Sequence, residues 1–301
     1  MLEIGLIGFG RWGKLIFRDL RALDVSVHVA VPGEQSRTAA MAAGAASVCT
    51  QASELPDVDG YVVAAPTILH AQCITPLMGR GKPIFVEKPL TCDPVSASRI
   101  AEEIPDRIFV MDKWRYHPGI LKLSELAGSG ALGEIRAVRS YRLGWGNPHK
   151  DVDAAWILLP HDFSIAQDIL GYLPELETVL VQHKDLEGQD LTVRLKDKST
   201  GVSVTCEISA LHPGNRRSVV VIGSTAVAQL ADSYDDRVLF AATGDDESPR
   251  EIRVDTKMPL LAELEAFIAH VKGGPPPKSS AREGAVTVQR VAEARAMAGW
   301  T

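Results

Sequence analysis

The stretch Leu2-Glu3-Ile4-Gly5-Leu6-Ile7-Gly8-Phe9-Gly10-Arg11-Trp12-Gly13 decides the fold. Its first six residues are mostly apolar and predict a strand, and the apolar spacing that follows predicts a helix. In such a strand–turn–helix, the first glycine permits a tight turn, the second admits a pyrophosphate and the third allows close packing. The helix N-terminus adds N–H groups for the phosphates. We therefore predict a dinucleotide-binding turn made of Gly8, Phe9, Gly10, Arg11, Trp12 and Gly13.

A second strand is predicted from Val25 to Val31, and it ends near the position that reads the adenosine ribose. Residues 32–37 are expected to form a loop behind it. Glu34 would bind the ribose of NAD if this loop curls back, whereas Ser36 and Arg37 would hold the 2′-phosphate of NADP. The residues leave the choice of cofactor open and favour NADP slightly.

The next strand, Val58 to Ala64, leads into Ala65-Pro66-Thr67 and a helix that contains His70. We expect residues 65–67 to lie under the pyrophosphate and the nicotinamide ribose. His70 is placed beside the cofactor as a helix-cap or packing residue and not as a catalyst.

The run Ile84-Phe85-Val86-Glu87-Lys88-Pro89-Leu90 predicts a buried parallel strand that ends in an acid, a lysine and a proline. Ligands of open α/β sheets bind beyond the carboxyl ends of the strands, so Glu87 and Lys88 should face the cofactor. Pro89 biases the lysine toward an extended backbone, which aims its amine.

Strands and helices alternate up to Met111, and this pattern predicts a doubly wound parallel sheet of the Rossmann type in residues 1–118. After Gly119 the rhythm changes. A long helix is predicted over residues 154–170, and residues 191–196 and 202–209 alternate with a period of two. Residues 119–301 are therefore predicted to form an α+β domain with a large, mostly antiparallel, open-faced sheet, and its C-terminal helix is free to return to the first domain.

Composition limits the partners. The chain has 301 residues, of which 46% are hydrophobic and 23% charged, with a net charge of -6. This profile is typical of globular proteins, and without a basic excess it argues against nucleic acid or an anionic membrane as partner. The four scattered cysteines lack metal-ligand spacing and predict reduced thiols and no metal site. No export signal or membrane span is predicted, and the expected location is the cytoplasm.

Four motifs follow one another along the chain, and their order is informative. They are GFGRWG at 8–13, APT at 65–67, EKPL at 87–90, and PHDFSI at 160–165 with ILG at 169–171. Together they resemble the glucose–fructose oxidoreductase/inositol dehydrogenase (Gfo/Idh/MocA) family over essentially the whole chain. RYHP at 115–118 and GALGEI at 130–135 look most like the branch that acts on nucleotide-linked N-acetyl sugars, such as UDP-N-acetylglucosamine 3-dehydrogenases. The resemblance implies hydride transfer between NAD(P) and a hydroxyl of a sugar, nucleotide sugar or cyclitol.

The resemblance also implies site residues. The family lysine, which contacts the nicotinamide ribose and the substrate hydroxyl, falls on Lys88, and the family's catalytic histidine falls on His161. The aspartate that usually stands four residues before that histidine is Ile157 here, and Ser164 stands where many members have another aspartate. Asp162 projects about 100° away from His161 on a helix and cannot simply replace the missing acid.

The incomplete pair leaves alternatives open. Asp151 and Asp153 lie just upstream and are candidates to approach the histidine from the loop. A nucleotide-bound sensor without catalysis is a second hypothesis, because the family includes such members. Glycoside hydrolysis and imine reduction on the same fold remain further readings.

Substrate contacts and self-association complete the expectations. Besides Lys88 and His161, the candidates to line the substrate pocket are Arg115, Tyr141, Arg142, Trp145 and His149. An aromatic ring can stack on a sugar, and arginines can hold a phosphate. An open-faced sheet must also hide its apolar side chains, so a homodimer or homotetramer through that face is expected.

Overall fold

The chain divides into two units in the computed structural model, which describes residues 1–147, 151–183, 185–244, 248–255 and 257–300. Unit 1 comprises Met1–Lys113 and Leu260–Val288, and unit 2 comprises Trp114–Pro259 and Gln289–Thr301. The sequence-based division after residue 118 stays a prediction about domains.

Unit 1 is built on a six-stranded parallel sheet with the order β3-β2-β1-β4-β5-β6. The strands consist of apolar runs, as expected for a sheet that is covered on both faces. The order reverses between β1 and β4, so this is where the carboxyl edge opens a crevice. The strands are β1 Glu3–Ile7, β2 Ser26–Ala30, β3 Ser47–Cys49, β4 Gly60–Val63, β5 Ile84–Glu87 and β6 Ile108–Met111.

The helices of the alternating region are α1 Arg11–Ala22, α2 Glu34–Ala42, α3 His70–Met78 and α4 Pro94–Glu103. Their start signals are local. Asp93 caps α4 by accepting from the backbone N–H groups of Val95 at 3.3 Å and Ser96 at 2.8 Å, and Pro94 occupies the first turn. The predicted parallel architecture is confirmed.

Unit 2 contains an eight-stranded sheet with the order β14-β13-β12-β11-β7-β10-β9-β8. Every neighbouring pair is antiparallel except β7 and β10, which run parallel. The predicted mostly antiparallel sheet is confirmed. The strands are β7 Ile135–Trp145, β8 Glu175–Val181, β9 Asp190–Lys196, β10 Ser203–Ser209, β11 Leu211–Gly223, β12 Ala226–Leu230, β13 Arg237–Ala242 and β14 Arg250–Arg253.

Helices α5 (Pro118–Gly128) and α6 (Ala154–Leu170) pack on one face of this sheet. Along β7 the side chains of Ser140 and Arg142 are buried on the helix side, whereas Arg139 and Tyr141 alternate to the other face. The opposite face carries exposed ion pairs such as Arg194 to Glu177 at 3.0 Å. The remaining helices are α7 Pro259–Val271 and α8 Ala281–Met297.

Residues 34–37 form the first turn of α2 and not a loop, which corrects the sequence-based expectation. Gly33 precedes the helix with extended backbone, and Glu34 favours the positive end of the helix dipole. The helix was missed because its residues are mostly short or polar and only Ala40 is buried, so they show no apolar stripe.

None of the described helices is long and apolar enough to cross a membrane.

Candidate active site

The glycine turn at the end of β1 has the geometry of a nucleotide cradle. Gly8 has a φ of 101°, and a Cβ added to it would lie 2.4 Å from the Ala64 carbonyl oxygen. A Cβ on Gly13 would lie 2.4 Å from the Gly8 carbonyl oxygen, so the strand and the helix pack too closely for a side chain. A Cβ on Gly10 would meet no atom of the described residues within 4 Å, apart from its neighbours in the chain. The space in front of Gly10 is therefore open, and it fits a pyrophosphate that approaches the backbone.

A hydrogen bond also connects the glycine turn to the strand that carries Lys88. Trp12 lies in the first turn of α1, and its indole Nε1–H donates to the Glu87 carboxylate. Glu87 is the last residue of β5 and also accepts from the backbone N–H of Lys88 at 3.2 Å. The Lys88–Pro89 peptide bond is cis. Unit 1 thus brings Trp12, Glu87 and Lys88 together at the carboxyl edge of its sheet.

Buried His70 connects the two loops that follow β4 and β5. Its Nδ1 lies 2.8 Å from the Pro89 carbonyl oxygen, and its Nε2 lies 3.1 Å from the Ala65 carbonyl oxygen. Burial lowers the pKa of His70, and the positive charge of Lys88 acts in the same direction. A neutral imidazole carries one N–H, so it donates to one of these two carbonyl oxygens at a time, and it adds no charge beside the lysine.

Carboxyl groups crowd the same edge of the sheet. Burial raises the pKa of Glu87 to about 7, against the opposing effects of Lys88, Trp12 and Lys113. Asp112 follows the neighbouring strand and is buried. The Lys113 amine stands 4.6 Å from the centre of the Trp12 ring. Glu263 of α7 is 1% exposed, and burial and the carboxylates Glu87 and Asp112 raise its pKa.

The ribose-reading end of the cradle is shaped by Arg37. Its guanidinium donates to the carbonyl oxygens of Val31, at 3.2 Å, and of Pro32. The arginine is thus tied to the chain where β2 ends. Ser36 lies in the same helical turn, and Glu34 begins the helix with its side chain exposed.

In unit 2, His161 lies half-buried near the middle of α6. Ile157 precedes it by one turn on the same helix face and is 7% exposed. The indole of Trp114 meets the His161 ring edge-on, with 6.4 Å between the ring centres. An aliphatic and an aromatic side chain therefore border the imidazole where the resemblance implies a carboxylate.

Asp162, the next residue, is committed to another partner. It is 1% exposed and accepts a bidentate pair of hydrogen bonds from Arg142, from Nε to Oδ2 at 3.1 Å and from Nη2 to Oδ1 at 2.9 Å. Burial raises the pKa of Asp162, and the Arg142 charge opposes that rise. The guanidinium of Arg142 stacks 4.5 Å from the centre of the Trp114 ring. The ion pair and Trp114 form one block beside the histidine.

Asp153, an acid upstream of His161, has a structural role at the start of α6. It caps α6 by accepting from the Trp156 backbone N–H at 3.1 Å, and it also pairs with Arg295. It lies eight residues before His161, which is about 12 Å along a helix. Asp153 is therefore held at the start of the helix, away from the histidine.

A model of the Gfo/Idh/MocA group, described as an oxidoreductase family with an NAD-binding Rossmann fold, matches residues 2–107. Two similar relatives extend the likeness over the chain. Myo-inositol 2-dehydrogenase of Thermotoga maritima is 24% identical over 94% of this chain and 92% of its own. Inositol 2-dehydrogenase of Gluconacetobacter diazotrophicus is 27% identical over 91% of this chain and 87% of its own. The chain thus matches the Gfo/Idh/MocA model over its first third and resembles inositol 2-dehydrogenases over most of its length.

Solved structures share the fold of this chain. Levoglucosan dehydrogenase, in complex with NADH and levoglucosan, superposes with a TM-score of 0.86 at 17% identity, covering 100% of this chain and 98% of its own. UDP-N-acetylglucosamine 3-dehydrogenase GnnA from Acidithiobacillus ferrooxidans gives 0.83 at 18% identity, with 98% and 97% covered. The chain thus shares its fold with these two dehydrogenases over nearly its whole length.

The described unit 2 residues that were expected to line a substrate pocket have different surroundings. Arg115 is buried, and its Nε lies 3.5 Å from the Asp168 carboxylate. Tyr141 lies on the sheet face opposite to α6, where the Arg216 guanidinium stands 3.7 Å from its ring centre. Trp145 ends β7 and is 74% exposed. His149 lies outside the described residues.

Three side chains beside these groups escaped the sequence analysis. Trp114 follows the DK pair at 112–113 and looked like part of a loop, and Lys113 gave no motif. Glu263 stands in an apolar stripe, LLAELEAF, where an acid on the inward face is the only signal. A buried position for an acid is informative, because acids are rarely buried without a partner.

Proposed function

We propose that this oxidoreductase exchanges a hydride between NAD(P) and a secondary hydroxyl of an uncharged sugar or cyclitol. The observation that carries the proposal is the Trp12–Glu87 hydrogen bond, which joins the glycine turn to the strand end that presents Lys88. A lysine amine is thereby held at the same edge of the sheet as the nucleotide cradle. The dehydrogenase names of the full-length relatives favour an enzyme over a sensor.

The residues divide the work as follows. The bound nicotinamide accepts or supplies the hydride. Lys88 donates an N–H to the substrate oxygen and stabilises its developing negative charge, while His161 takes the hydroxyl proton as general base. Gly10 leaves room for the pyrophosphate, and Ala65, Pro66 and Thr67 support the ribose from the neighbouring loop.

Two buried ion pairs support an uncharged substrate. Arg115 faces Asp168, and Arg142 faces Asp162, so both arginines that were candidates for a phosphate group already have carboxylate partners. A nucleotide sugar would need free cations for its diphosphate. The similarity to inositol 2-dehydrogenases points the same way. The predicted kinship with the nucleotide-sugar branch stays a prediction.

A modest preference for NADP over NAD is part of the proposal. Ser36 and Arg37 stand in the first turn of α2, where N–H groups and the helix dipole favour a 2′-phosphate. Dissociation constants of the two reduced cofactors, measured by fluorescence, test this preference. Arg37→Ala should weaken NADPH binding and spare NADH, whereas tighter NADH binding by the wild type would transfer the ribose contact to Glu34.

We also propose that two or four copies associate through the uncovered face of the unit 2 sheet. Tyr141 and the mixed charges of Glu177, Arg194 and Lys196 lie on that face and offer self-complementary contacts. Light scattering at micromolar concentration should give a dimer or tetramer. A monomer would contradict this assignment.

The function is tested by following the absorbance of reduced nicotinamide with a panel of myo-inositol, hexoses, levoglucosan and UDP-N-acetylglucosamine. We expect turnover with a neutral polyol and little with the nucleotide sugar. Gly10→Val is the cofactor control, because its branched side chain fills the open space before the turn. Turnover only with the nucleotide sugar would overturn the substrate class, and unchanged cofactor affinity in folded Gly10→Val would overturn the cradle.

A further inference from the structure

Glu263 is a buried acid without a partner. Its side chain is 1% exposed, and neither carboxylate oxygen has a hydrogen-bond partner among the described residues. Burial of an unpaired carboxylate costs far more than burial of the neutral acid, so such a group keeps its proton. This acid plays no part in the cradle or in the proposed roles of Lys88 and His161.

The packing of α7 places this acid over the end of β5. The Phe267 ring stacks on Phe85 with 4.9 Å between their centres. Glu263 precedes Phe267 by one turn on the same helix face, and Glu87 follows Phe85 by two residues on the same strand face. The next turn of the helix, at Val271, contacts the start of β4 at Gly60. The helix therefore runs against the strand direction, and its N-terminal turn brings Glu263 toward Glu87.

The charges around this pair come from several elements. The end of β5 supplies Glu87 and Lys88, the end of β6 supplies Asp112 and Lys113, and α7 supplies Glu263. His70 of α3 faces the lysine, and burial lowers its pKa. With His70 neutral, three carboxyl groups face two lysines. One proton shared by the carboxyl groups makes the cluster neutral.

Glu87 and Glu263 are the groups that share it. Carboxyl groups that interact in a buried place do not ionise independently, and one of them retains its proton to high pH. Burial raises the pKa of Glu87 to about 7, and burial together with Glu87 and Asp112 raises that of Glu263. The pair is thus poised to lose one proton when a positive charge arrives beside it.

We propose that Glu263 and Glu87 form a carboxyl pair that holds one proton and releases it when an oxidised nicotinamide cofactor binds. The inference rests on the proposed function, because it needs the positively charged ring at the carboxyl edge next to Glu87. The exchange balances: the protein with a protonated pair binds the oxidised cofactor, and the products are the complex and one released proton. Once the ring became neutral, the pair would take one proton back from water, whereas the proton of the substrate hydroxyl goes to His161.

The first test measures protons. NAD⁺ or NADP⁺, whichever binds more tightly, is titrated calorimetrically in buffers of different ionisation enthalpy, and its dissociation constant is followed with pH. The wild type should bind the oxidised form about three- to tenfold more tightly for each pH unit near neutrality, and the reduced form with little pH dependence. Glu263→Gln should remove most of this dependence at and above neutral pH.

Glu265→Gln is the matched control. Glu265 stands two residues further along α7, about 200° around the helix, so its replacement removes a charge without touching the pair. It should release as many protons as the wild type. Equal proton release by Glu263→Gln and the wild type would overturn the proposal.

The second test needs no cofactor. Because the pKa of Glu263 is raised by folding, the folded chain binds a proton that the unfolded chain loses above about pH 4.5, and wild-type stability falls as pH rises through that window. Glutamine carries no such proton. The urea midpoint of Glu263→Gln should therefore rise relative to the wild type as pH increases, and Glu265→Gln should show no such trend.

The two tests separate the possible failures. If neither oxidised cofactor binds the wild type at any pH, the proposed function and the release step fall together, while the urea series still decides whether Glu263 holds a proton. If the cofactor binds but the midpoint difference is independent of pH, the carboxyl pair is overturned and the function stands.

Discussion

Buried charges are balanced differently in the two units. In unit 2, Asp162 meets Arg142 in a bidentate pair, and Arg115 meets Asp168, so each carboxylate has its own cation. In unit 1, three carboxyl groups lie at the end of the sheet beside two lysines, Lys88 and Lys113. The acids are Glu87, Asp112 and Glu263. The histidine of unit 2 thus lies beside fixed charges, whereas the lysine of unit 1 lies beside carboxyl groups that titrate.

This difference suggests a division of labour. A bidentate arginine–aspartate pair holds its geometry and does not exchange protons near neutral pH. A buried cluster with more acids than bases changes its proton count when a charge arrives or leaves. Unit 2 therefore provides a rigid frame for an imidazole, and unit 1 provides the adjustable charge at the cofactor edge.

The largest expected effect is loss of turnover when either proposed catalytic group is removed. Lys88→Met and His161→Ala should each lower kcat by a factor of about 10²–10⁴, the usual contribution of acid–base groups. Both variants should still bind the reduced cofactor, which fluorescence titration measures. Turnover within threefold of the wild type in either variant would remove that residue from the chemistry and return weight to the sensor hypothesis.

The second effect concerns the frame of unit 2. Asp162→Asn leaves Arg142 buried without its counter-charge, and we expect a loss of about 3 kcal/mol in the free energy of unfolding. The double variant Arg142→Met with Asp162→Leu should lose much less, because it removes both charges. Urea denaturation compares them. Equal losses in the two variants would mean that packing, and not charge balance, holds this region together.

The framework of the fold was readable from the sequence because its signals are local. The glycine turn follows directly on an apolar strand, and the period-two alternation over residues 191–196 and 202–209 marks a sheet with one buried face. Helix α2 was not readable, because a helix of alanines, serine and threonine lacks an apolar stripe. The parallel pairing of β7 with β10 was also missed, since strand order depends on contacts between residues about 65 positions apart.

The site was harder to predict for the same reason. Motifs gave Lys88 and His161, but the side chains that set their surroundings come from distant segments. Glu263 reaches β5 only through the stacking of Phe267 on Phe85, a contact between residues far apart in the chain. Tyr141 and Arg142 are neighbours in sequence and were expected in one pocket, yet strand alternation puts them on opposite faces of the sheet.

A smaller effect should follow from restoring the missing acid. Ile157→Asp places a carboxylate one turn before His161, where it can accept from the imidazole and orient it. If poor orientation of the imidazole limits the rate, kcat with a neutral polyol should rise by up to about tenfold. The acidic limb of the pH–rate profile should also move to higher pH. Ile157→Asn is the neutral control. Because residue 157 is buried, both variants should lose stability, and a fall in activity matched by both would show that the aliphatic contact itself is needed.

The smallest expected effect concerns the hydrogen bond by which Trp12 influences the pKa of Glu87 in unit 1. Trp12→Phe removes the indole N–H that donates to Glu87 while keeping an aromatic ring under Lys113. The lost bond stabilised the charged form, so the pKa of Glu87 should rise above its value of about 7. When the pKa of Glu87 in the folded state is raised further, the free energy of unfolding keeps falling up to a higher pH. The variant should therefore match the wild type more closely at pH 5 than at pH 9, where we expect a deficit of about 1 kcal/mol in urea denaturation. In a Glu87→Gln background the same substitution should cost the same at both pH values, and a pH-dependent cost there would assign the effect to another group in the cluster.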